Sequence, residues 1–416
     1  MTGFNTSLDA TMANDKKKVL ILGATVNQLP FVFLTKQRNH IAITMDNIPQ
    51  SLCHKYSDVF ANVSTVEREL VLEYAIREKI DAIITCASDV ALPSMAYVSE
   101  KLGLPSVSLD SVTTTVNKGQ FRAFLLEHDF HTPQYHVFSD VPTAMQKMQT
   151  LTGKWILKPT DSSGSKGIYF IDFSQPPKDL QGLTQAALGF SRTHTVIIEE
   201  FIEGINCSID GFINNGHIDK FCITNKLLTP LPYRTPIAHI LPSKLSAQEY
   251  QAIKAQLVRI LGLLKARTTP FDFDIVVDPQ GRIFILEMSL RIGGNGIPKL
   301  IRYSEGYDLY DAALACALGE PISAPSALPP ASFTGVFLIC SETKGKLKAI
   351  ASKAALEGKY GTCLKEVIYD IEVGDDVEAF ISGNHRLGHF ILQCESEEKL
   401  LEMAQQFKTD LAVRVG

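Results

Sequence analysis

Short apolar segments alternate with amphipathic segments in the first part of the chain. Residues 19–24, 41–46 and 81–85 are rich in Ile, Leu, Val and Ala, which is typical of buried strands, and the segments between them have the mixed composition of helices. Strands that alternate with helices indicate a parallel α/β sheet with helices on its faces. We therefore predict a first domain of this class at residues 16–116, preceded by a disordered polar tail at residues 1–15.

Two segments in the middle of the chain have the composition of neighbouring strands. Residues 271–277 and 283–286 are rich in β-branched and aromatic side chains, and a turn with Pro and Gly separates them. This pattern predicts a β-hairpin. Asp272 and Asp274 are two residues apart and therefore point to one face of the first strand. Because a carboxylate among phenylalanines is costly to bury alone, we expect a cation beside it.

The second strand of this hairpin leads into Glu287 and then Arg291, which the glycines of residues 293–296 follow. Carboxylates on two adjacent strands, with a guanidinium next to them, are suited to holding a divalent metal against a phosphate. For Asp272 or Asp274 taken alone, a structural role as the cap of a turn is equally open.

A flexible loop lies upstream, between two strand-like segments at residues 155–159 and 168–171. The loop consists mainly of Ser, Gly and other small residues, whose backbone N–H groups can approach phosphate oxygens, and Lys158 adds a positive charge. Neither the Walker A motif nor the glycine motif of dinucleotide-binding folds occurs in the chain. A plain connection between two strands is the alternative interpretation of this loop.

Residues 195–204 form a strand-like segment that runs into acidic side chains and a glycine. A backbone segment that leaves a strand can offer an N–H and a C=O group to the edge of adenine, and a carboxylate there can accept hydrogen bonds from ribose hydroxyls. An acidic turn in solvent is the alternative.

These features together resemble the ATP-grasp superfamily, and most of all the branch that contains biotin carboxylase, carbamoyl phosphate synthetase and the L-amino acid ligases. The resemblance depends on the order and spacing of Lys118, Lys158 with its loop, the acidic segment at 199–204, Asp274, Glu287 and Arg291. It covers nearly the whole chain after residue 15.

The resemblance implies a fold of mixed α/β and α+β class. A parallel α/β preATP-grasp domain is expected at residues 16–116. The ATP-grasp domain follows at residues 117–325, with a lid at about 130–202, and a small β-rich α+β domain is expected at residues 326–416.

The resemblance also implies the site residues and the cofactors, which are ATP and Mg²⁺, with Mn²⁺ as an alternative metal. The metal ligands would be Asp274, Glu287 and Ser289, and Arg291 would stabilise the phosphorylated intermediate. The nucleotide-binding residues would be Lys118, Lys158, Ser162, Ser163, Gly164, Ser165, Gly167, Glu199, Glu200, Phe201 and Ile202. Asn295 is added to this set from its position in the sequence, because it follows Arg291 and could line the same pocket.

Two positions depart from the usual pattern of the superfamily. Ser289 replaces the Asn of the usual Glu-x-Asn-x-Arg motif, and a hydroxyl is a weaker neutral metal ligand than a carboxamide oxygen. Asp274 stands where Glu is common. We interpret both as variation within a working site, although they leave a degenerate site open.

The substrate region is predicted at residues 224–243, where four prolines favour an irregular conformation. Arg234 can bind a substrate carboxylate through two hydrogen bonds, and His239 can take a proton from an attacking amine. A structural role for His239 is an equally open interpretation.

Composition narrows the class of protein. The chain has 416 residues, of which 45% are hydrophobic, and a net charge of −5, so it can form two or three domains and has no basic character for nucleic acid. It has no apolar run long enough to span a membrane, its N-terminal residues do not resemble a signal peptide, and no Cys-x-x-Cys motif occurs. We expect a cytoplasmic protein with small-molecule partners; a homodimer stays open.

The function that these features predict is an ADP-forming ligase that joins a carboxylate to an amine through an acyl phosphate. The substrates would be two amino acids, or an amino acid and a small acid. Two alternatives remain at this point: a carboxylase or formyl-transfer ligase of purine-type metabolism, and a nucleotide-binding protein without catalytic activity.

Overall fold

The computed structural model describes residues 16–162, 164, 166–231, 233–326 and 332–416. The predicted tail at residues 1–15 and the loop residues Ser163 and Ser165 lie outside this description. Within the described ranges, no helix combines the length and the apolar character needed to pass through a membrane. The eight cysteines are free thiols, and most of them are buried.

The N-terminal elements form the predicted parallel α/β sheet. They are β1 (Lys18–Leu22), α1 (Leu29–Gln37), β2 (Ile41–Asp46), β3 (Val59–Asn62), α2 (Arg68–Glu78), β4 (Ala82–Ile84), α3 (Leu92–Leu102) and α4 (Leu109–Val116). The strand order is β3–β2–β1–β4, and all pairings are parallel. Residues 19–22 of β1 are completely buried, because helices cover both faces of the sheet.

A small antiparallel sheet follows in the region predicted as the lid. Its elements, with the helix that precedes it, are α5 (Lys118–Glu127), β5 (Tyr135–Phe138), α6 (Val141–Met148), β6 (Lys154–Pro159), β7 (Tyr169–Asp172), α7 (Leu180–Phe190) and β8 (Val196–Glu200). The strand order is β5–β8–β6–β7. Trp155, Leu157 and Ile198 pack against residues of α6 and α7, which gives this sheet a core of its own.

The remaining elements extend from residue 205 to the end of the chain. The first group is β9 (Ile205–Asn214), β10 (His217–Leu228), β11 (Pro236–Leu241), α8 (Ala247–Leu263), β12 (Thr269–Val277), β13 (Ile283–Ser289), α9 (Ile297–Glu305) and α10 (Leu309–Leu318). The second is β14 (Phe333–Ile339), β15 (Gly345–Ala349), α11 (Lys353–Tyr360), β16 (Leu364–Tyr369), β17 (Asp376–Val377), β18 (Gly388–Cys394), α12 (Glu397–Asp410) and β19 (Arg414–Val415).

Most of these strands belong to one antiparallel sheet with the order β13–β12–β9–β10–β11–β14–β18–β16. The predicted hairpin is confirmed as β12 and β13. The C-terminal strands continue the central sheet through the pairing of β11 with β14, so no break in hydrogen bonding separates the C-terminal β-rich part from the central part. A second small sheet has the order β17–β15–β19.

The prediction of an irregular segment at residues 224–243 was wrong for most of its length. β10 extends to Leu228, and β11 begins again at Pro236. A proline at the first position of a strand does not have to donate a ladder hydrogen bond, so Pro236 is compatible with β11. Of the described residues of this segment, 229–231, 233–235 and 242–243 lie outside regular secondary structure.

We predict opposite effects of two Gly-to-Ala substitutions. A Cβ atom at Gly211 in β9 would lie 2.2 Å from the carbonyl oxygen of Lys220 and 2.5 Å from the ring of Phe271. Gly211→Ala should therefore lower the free energy of unfolding by about 1–3 kcal/mol or more. The control is Gly189, which lies in α7 with open space around it. Gly189→Ala should raise this free energy by up to about 1 kcal/mol. Urea unfolding measures both, and similar midpoints for the two variants would contradict the prediction.

A second prediction concerns His389, which is 5% exposed in β18. Burial, with the nearby cations Arg386, Lys299 and Lys353, lowers the pKa of His389 to about 3. The unfolded chain takes up a proton below its ordinary pKa of 6.5, and the folded chain does not, so acid favours unfolding.

Wild type should therefore lose stability relative to His389→Gln as the pH falls from 7 to 4, with a slope of at most about 1.4 kcal/mol per pH unit. Urea unfolding at a series of pH values measures this difference. A constant difference between the two proteins across this range would show that the ring of His389 titrates normally.

Candidate functional site

One face of the large sheet carries two rows of polar side chains. Across β9, β12 and β13, the directly opposite residues are Ser208, Asp274 and Glu287 in one row and Asp210, Asp272 and Ser289 in the next. Opposite residues of antiparallel neighbours point to the same face of a sheet. Except for the buried Asp210, these residues line a cavity of about 610 Å³. The predicted metal ligands therefore lie side by side.

The position of Lys118 is set by the start of α5. The side chain of Asn117 accepts a hydrogen bond from the backbone N–H of Gln120, which caps the helix. The backbone N–H of Lys118 donates to the carbonyl of Thr160 at 2.8 Å, so the helix is joined to the end of β6. The Nζ atom of Lys118 donates to the carbonyl of Ser162 at 2.9 Å and lies 3.3 Å from Oε1 of Glu287.

Lys158 lies in β6 and is 6% exposed. Its Nζ atom is 3.3 Å from Oε2 of Glu199 and 3.7 Å from Oε1 of Glu287. Burial lowers the pKa of Lys158, and the two carboxylates oppose this effect. Both lysines that the sequence pointed to therefore converge on one carboxylate, Glu287.

The carboxylate of Glu287 is strongly stabilised in its charged form. Partial burial raises its pKa, but the ammonium groups of Lys118, Lys158 and Lys226 outweigh burial, so the pKa of Glu287 falls to about 2. Glu287 is thus a carboxylate at any physiological pH.

Asp274 lies directly opposite Glu287 in the ladder, and a β-bulge follows it. One oxygen of Asp274 accepts a hydrogen bond from Ser208 at 2.6 Å, and the other forms an ion pair with Lys226. Bulges next to a site redirect the side chains beside them. Here the bulge follows the predicted metal ligand immediately.

The donor set is compatible with a magnesium ion that binds together with a phosphate. Among the described residues, no group of three or more His, Cys, Asp or Glu side chains is arranged to hold a metal alone. Magnesium in nucleotide-binding sites is commonly held by one or two carboxylates together with substrate phosphates. Asp274 and Glu287 supply two carboxylates, so these residues fit the metal provided that a phosphate completes its coordination.

Arg291 is fixed by two carboxylates. Its Nη2 and Nε atoms lie 2.6 and 2.9 Å from Oδ1 of Asp89. Its Nη1 atom pairs with Asp272. Burial lowers the pKa of Arg291, but Asp89 and Asp272 outweigh this effect and raise it. Ser289, one of the predicted metal ligands, donates its hydroxyl to the same oxygen of Asp89 at 2.5 Å.

Asp89 follows β4 of the N-terminal parallel sheet, and its loop is attached to the segment that follows β13. Cys86 forms a parallel bridge with Ile292, and the backbone N–H of Ala87 donates to the carbonyl of Ile292 at 3.0 Å. The first domain therefore supplies one wall of the site. Asp89 was not among the predicted site residues, although its position after β4 was a usable signal, because ligand sites in parallel sheets lie at the carboxyl ends of the strands.

Asp210 is 1% exposed, and neither of its side-chain oxygens has a hydrogen-bond partner among the described residues. Burial raises the pKa of Asp210 well above its usual value, and the negative charge of Asp272 adds to the effect. A Cβ atom at Gly293 would lie 2.2 Å from Oδ1 of Asp210. The glycine after Arg291 therefore makes room for this carboxyl group.

The loop after β6 lies at the edge of the cavity. Ser162 and Gly164 line it, and Gly164 and Gly167 have φ angles of +71° and +69°, which favour glycine. A Cβ atom at Gly164 would lie 3.0 Å from Nδ2 of Asn384, so the loop contacts the C-terminal part of the chain.

The segment predicted to bind a nucleoside has two kinds of side chain. Glu199 is 3% exposed and is held by Arg122 at 3.1 Å as well as by Lys158, so its carboxylate is engaged inside the protein. Glu200, Phe201 and Ile202 also line the cavity.

The backbone N–H groups of Glu200 and Phe201 already donate to Gln134 and Lys154. In the described part of the chain, the N–H of Ile202 has no such acceptor. It is therefore a donor of this segment that is available to a ligand.

The two residues predicted to act on the substrates differ in accessibility. Arg234 is half-buried, has a φ angle of +51°, and lies 5.6 Å from the ring centre of Phe201. His239 is 1% exposed in β11, with Nδ1 at 3.3 Å from the hydroxyl of Thr224. Burial, together with Lys226, lowers the pKa of His239 to about 3. So weak a base is a poor proton acceptor at neutral pH, which favours the structural interpretation of His239.

The C-terminal segment contributes residues that the sequence analysis did not identify. Arg386 and Asp370 line the cavity, as do Asn27 of the first domain and Asn295 of the glycine-rich segment. Asn295, which was predicted to line the pocket, has a φ angle of +55°. No spacing pattern connects residues that are so far apart in the sequence.

Comparison with known proteins agrees with this geometry. A family model described as the ATP-grasp domain matches residues 152–299. Among curated proteins, phosphoribosylamine–glycine ligase of Fusobacterium nucleatum subsp. nucleatum is 19% identical over 300 residues, which cover 66% of this chain and 68% of that protein. Human carnosine synthase 1 is 26% identical over 294 residues, which cover 65% of this chain and 35% of that protein.

Among solved structures, the L-amino acid ligase from Bacillus licheniformis is similar, with a TM-score of 0.79 and 19% identity. The alignment covers 96% of this chain and 99% of that chain. The likeness at this identity shows a shared fold over nearly the whole chain.

A stability prediction follows from Arg122, which is fully buried. It donates to the carbonyls of Ile285 and Leu286 and pairs with Glu199. Arg122→Leu leaves these acceptors without their partner and should cost about 3–5 kcal/mol in the free energy of unfolding. The control is Arg302→Leu, at a side chain that is 64% exposed. Urea unfolding that shows equal, small effects for both variants would contradict the prediction.

Proposed function

We propose that this chain, whose residues 152–299 match the ATP-grasp domain, is an ATP-dependent, ADP-forming ligase that joins a carboxylate to an amine. The substrates we propose are two amino acids, or an amino acid and a small acid. ATP and Mg²⁺ are the cofactors that this function requires.

The observation that carries the proposal is the convergence of Lys118 and Lys158 on Glu287, directly opposite Asp274. Two cations and two carboxylates at one cavity are the groups needed to bind a triphosphate with its metal. A protein that merely binds adenosine has no need for a carboxylate pair at this position. The names of two compared proteins, an L-amino acid ligase and a carnosine synthase, are in line with amino acid substrates.

In the proposed reaction, an oxygen of the substrate carboxylate attacks the γ-phosphorus of ATP, and the bond to the bridging oxygen breaks, which releases ADP. The product is an acyl phosphate. The amine nitrogen then attacks the acyl carbon, the bond between this carbon and the phosphate oxygen breaks, and the proton lost by the nitrogen ends on the departing phosphate, which gives the amide and inorganic phosphate.

Each of the charged residues has a part in this reaction. Lys118 and Lys158 would exchange Glu287 for phosphate oxygens and offset the charge that develops there. Arg291, held in place by Asp89 and Asp272, would face the acyl phosphate and the oxyanion of the second step. Asp274 and Glu287, with Ser289 beside them, would hold magnesium, which supplies positive charge to the transferred phosphoryl group.

The nucleoside would lie against the end of β8. The N–H of Ile202 is the donor for the adenine edge, and Glu200, the last residue of β8, is the acceptor for ribose hydroxyls. Ser162 and Gly164 would cover the phosphates and exclude water, which otherwise hydrolyses an acyl phosphate. Arg234 would bind a substrate carboxylate at the edge of the cavity.

The test is ADP release by the purified protein with MgATP and pairs of amino acids. Glu287→Gln should lower this rate by at least about a hundredfold, because a metal-binding charge is lost. The matched control is Glu305→Gln, since the side chains of Glu287 and Glu305 are 43% and 41% exposed and both pair with lysine.

The control should retain the wild-type rate. Formation of AMP and pyrophosphate in place of ADP, or an unchanged rate in Glu287→Gln, would show that the proposed reaction is wrong.

A further inference from the structure

Arg386 lies at a point of the cavity wall where three separate parts of the chain meet. Its Nε atom donates to Asp370 at 2.7 Å, in its own C-terminal part. Its Nη1 atom donates to the side-chain oxygen of Asn295 at 3.1 Å, and its Nη2 atom donates to that of Asn27 at 2.8 Å. The side chain of Arg386 is 9% exposed. All four residues line the cavity.

On Arg386, Asn27 and Asn295 the hydrogen bonds of this group leave donors unused, whereas Oδ1 of Asp370 is a buried acceptor that has no hydrogen-bond partner in the described part of the chain. A guanidinium has five N–H donors and no acceptor, so its three partners use three donors and leave one on each terminal nitrogen. Because a guanidinium can only donate, the amides of Asn27 and Asn295 must turn their oxygens towards Arg386. Their NH₂ groups then point away from it. In the described part of the chain, neither NH₂ group has an acceptor across this wall.

A wall that presents two guanidinium N–H groups and two amide NH₂ groups is suited to an anion with two oxygens in one plane. A carboxylate has this shape and binds a guanidinium through two parallel hydrogen bonds. This wall is distinct from Lys118 and Lys158, which face Glu287 and serve the phosphates in the proposed function.

We propose that Arg386, with Asn27 and Asn295, binds the carboxylate of the amino acid that supplies the amine. The inference rests on the proposed function and assigns a binding site to its second substrate. Arg386 is a specificity-determining residue in this account, since the carboxylate that it binds is not the one that is phosphorylated. Asp370 is a positioning residue, because it holds the guanidinium through Nε.

A purely structural role would also use these contacts, and one substitution separates the two roles. Asn27→Asp keeps the shape of the side chain and offers Arg386 a charged acceptor. A structural bridge should be as stable as before or more stable with this variant. An anion site should lose its ligand, because a carboxylate now occupies the wall and repels another.

The experiment measures the thermal shift that each of the twenty standard amino acids causes in the full chain with MgADP, next to the shift caused by its carboxamide. Wild type should bind at least one amino acid more tightly than the corresponding carboxamide, by about tenfold to a hundredfold, which is the effect of a hydrogen bond to a charged group. Arg386→Gln and Asn27→Asp should abolish this preference. Arg302→Gln, at an exposed arginine, should keep it.

Two outcomes would overturn the inference. One is that the wild type binds every amino acid no more tightly than the corresponding carboxamide, or that the Arg386→Gln variant still prefers an amino acid to its carboxamide. The other is weaker binding of inorganic phosphate or MgADP by Arg386→Gln with the acid preference unchanged, which would assign the wall to phosphate. ADP release tests the proposed function separately, so failure of one result is distinguishable from failure of the other.

Discussion

The site depends on the ion pairs of one carboxylate with two lysines. Lys118 and Lys158 are almost fully buried, and a buried ammonium group is unfavourable without a counter-ion. Glu287 supplies that counter-ion to both, and Glu199 supports Lys158 from the other side. The same charges suit a bound triphosphate, whose oxygens can take the place of Glu287 while the carboxylate turns to a metal. The free protein therefore holds its cations in position before the nucleotide binds, which reduces the reorganisation that binding requires.

The fold and part of this site follow from short-range patterns in the sequence. The alternation of apolar and amphipathic segments predicted the parallel sheet, and β-branched segments around a Pro-Gly turn predicted β12 and β13 with Asp274 and Glu287 on neighbouring strands. The segment at 224–243 was misjudged because a proline at the start of a strand was taken as a sign of irregular structure. Side chains such as Asp89 and Arg386 were not found, because their positions depend on how distant loops pack together.

Several residues in the site have a structural role, which the amino-acid type alone does not predict. Glu199 is the partner of two cations, His239 is a neutral ring inside the sheet, and Gly293 makes room for Asp210. Arg291 is likewise held by Asp89 of the first domain, so the guanidinium has a fixed direction without any ligand. Rigid support of this kind is what a catalytic charge requires if it is to act on a transition state.

The most direct test of the proposed chemistry follows the oxygen atoms of the substrate acid. If the carboxylate is labelled with a heavy oxygen isotope and is activated as an acyl phosphate, the inorganic phosphate that is released must carry one labelled oxygen. The account predicts this transfer, together with unlabelled ADP. Phosphate without label, or label found in AMP, would contradict it.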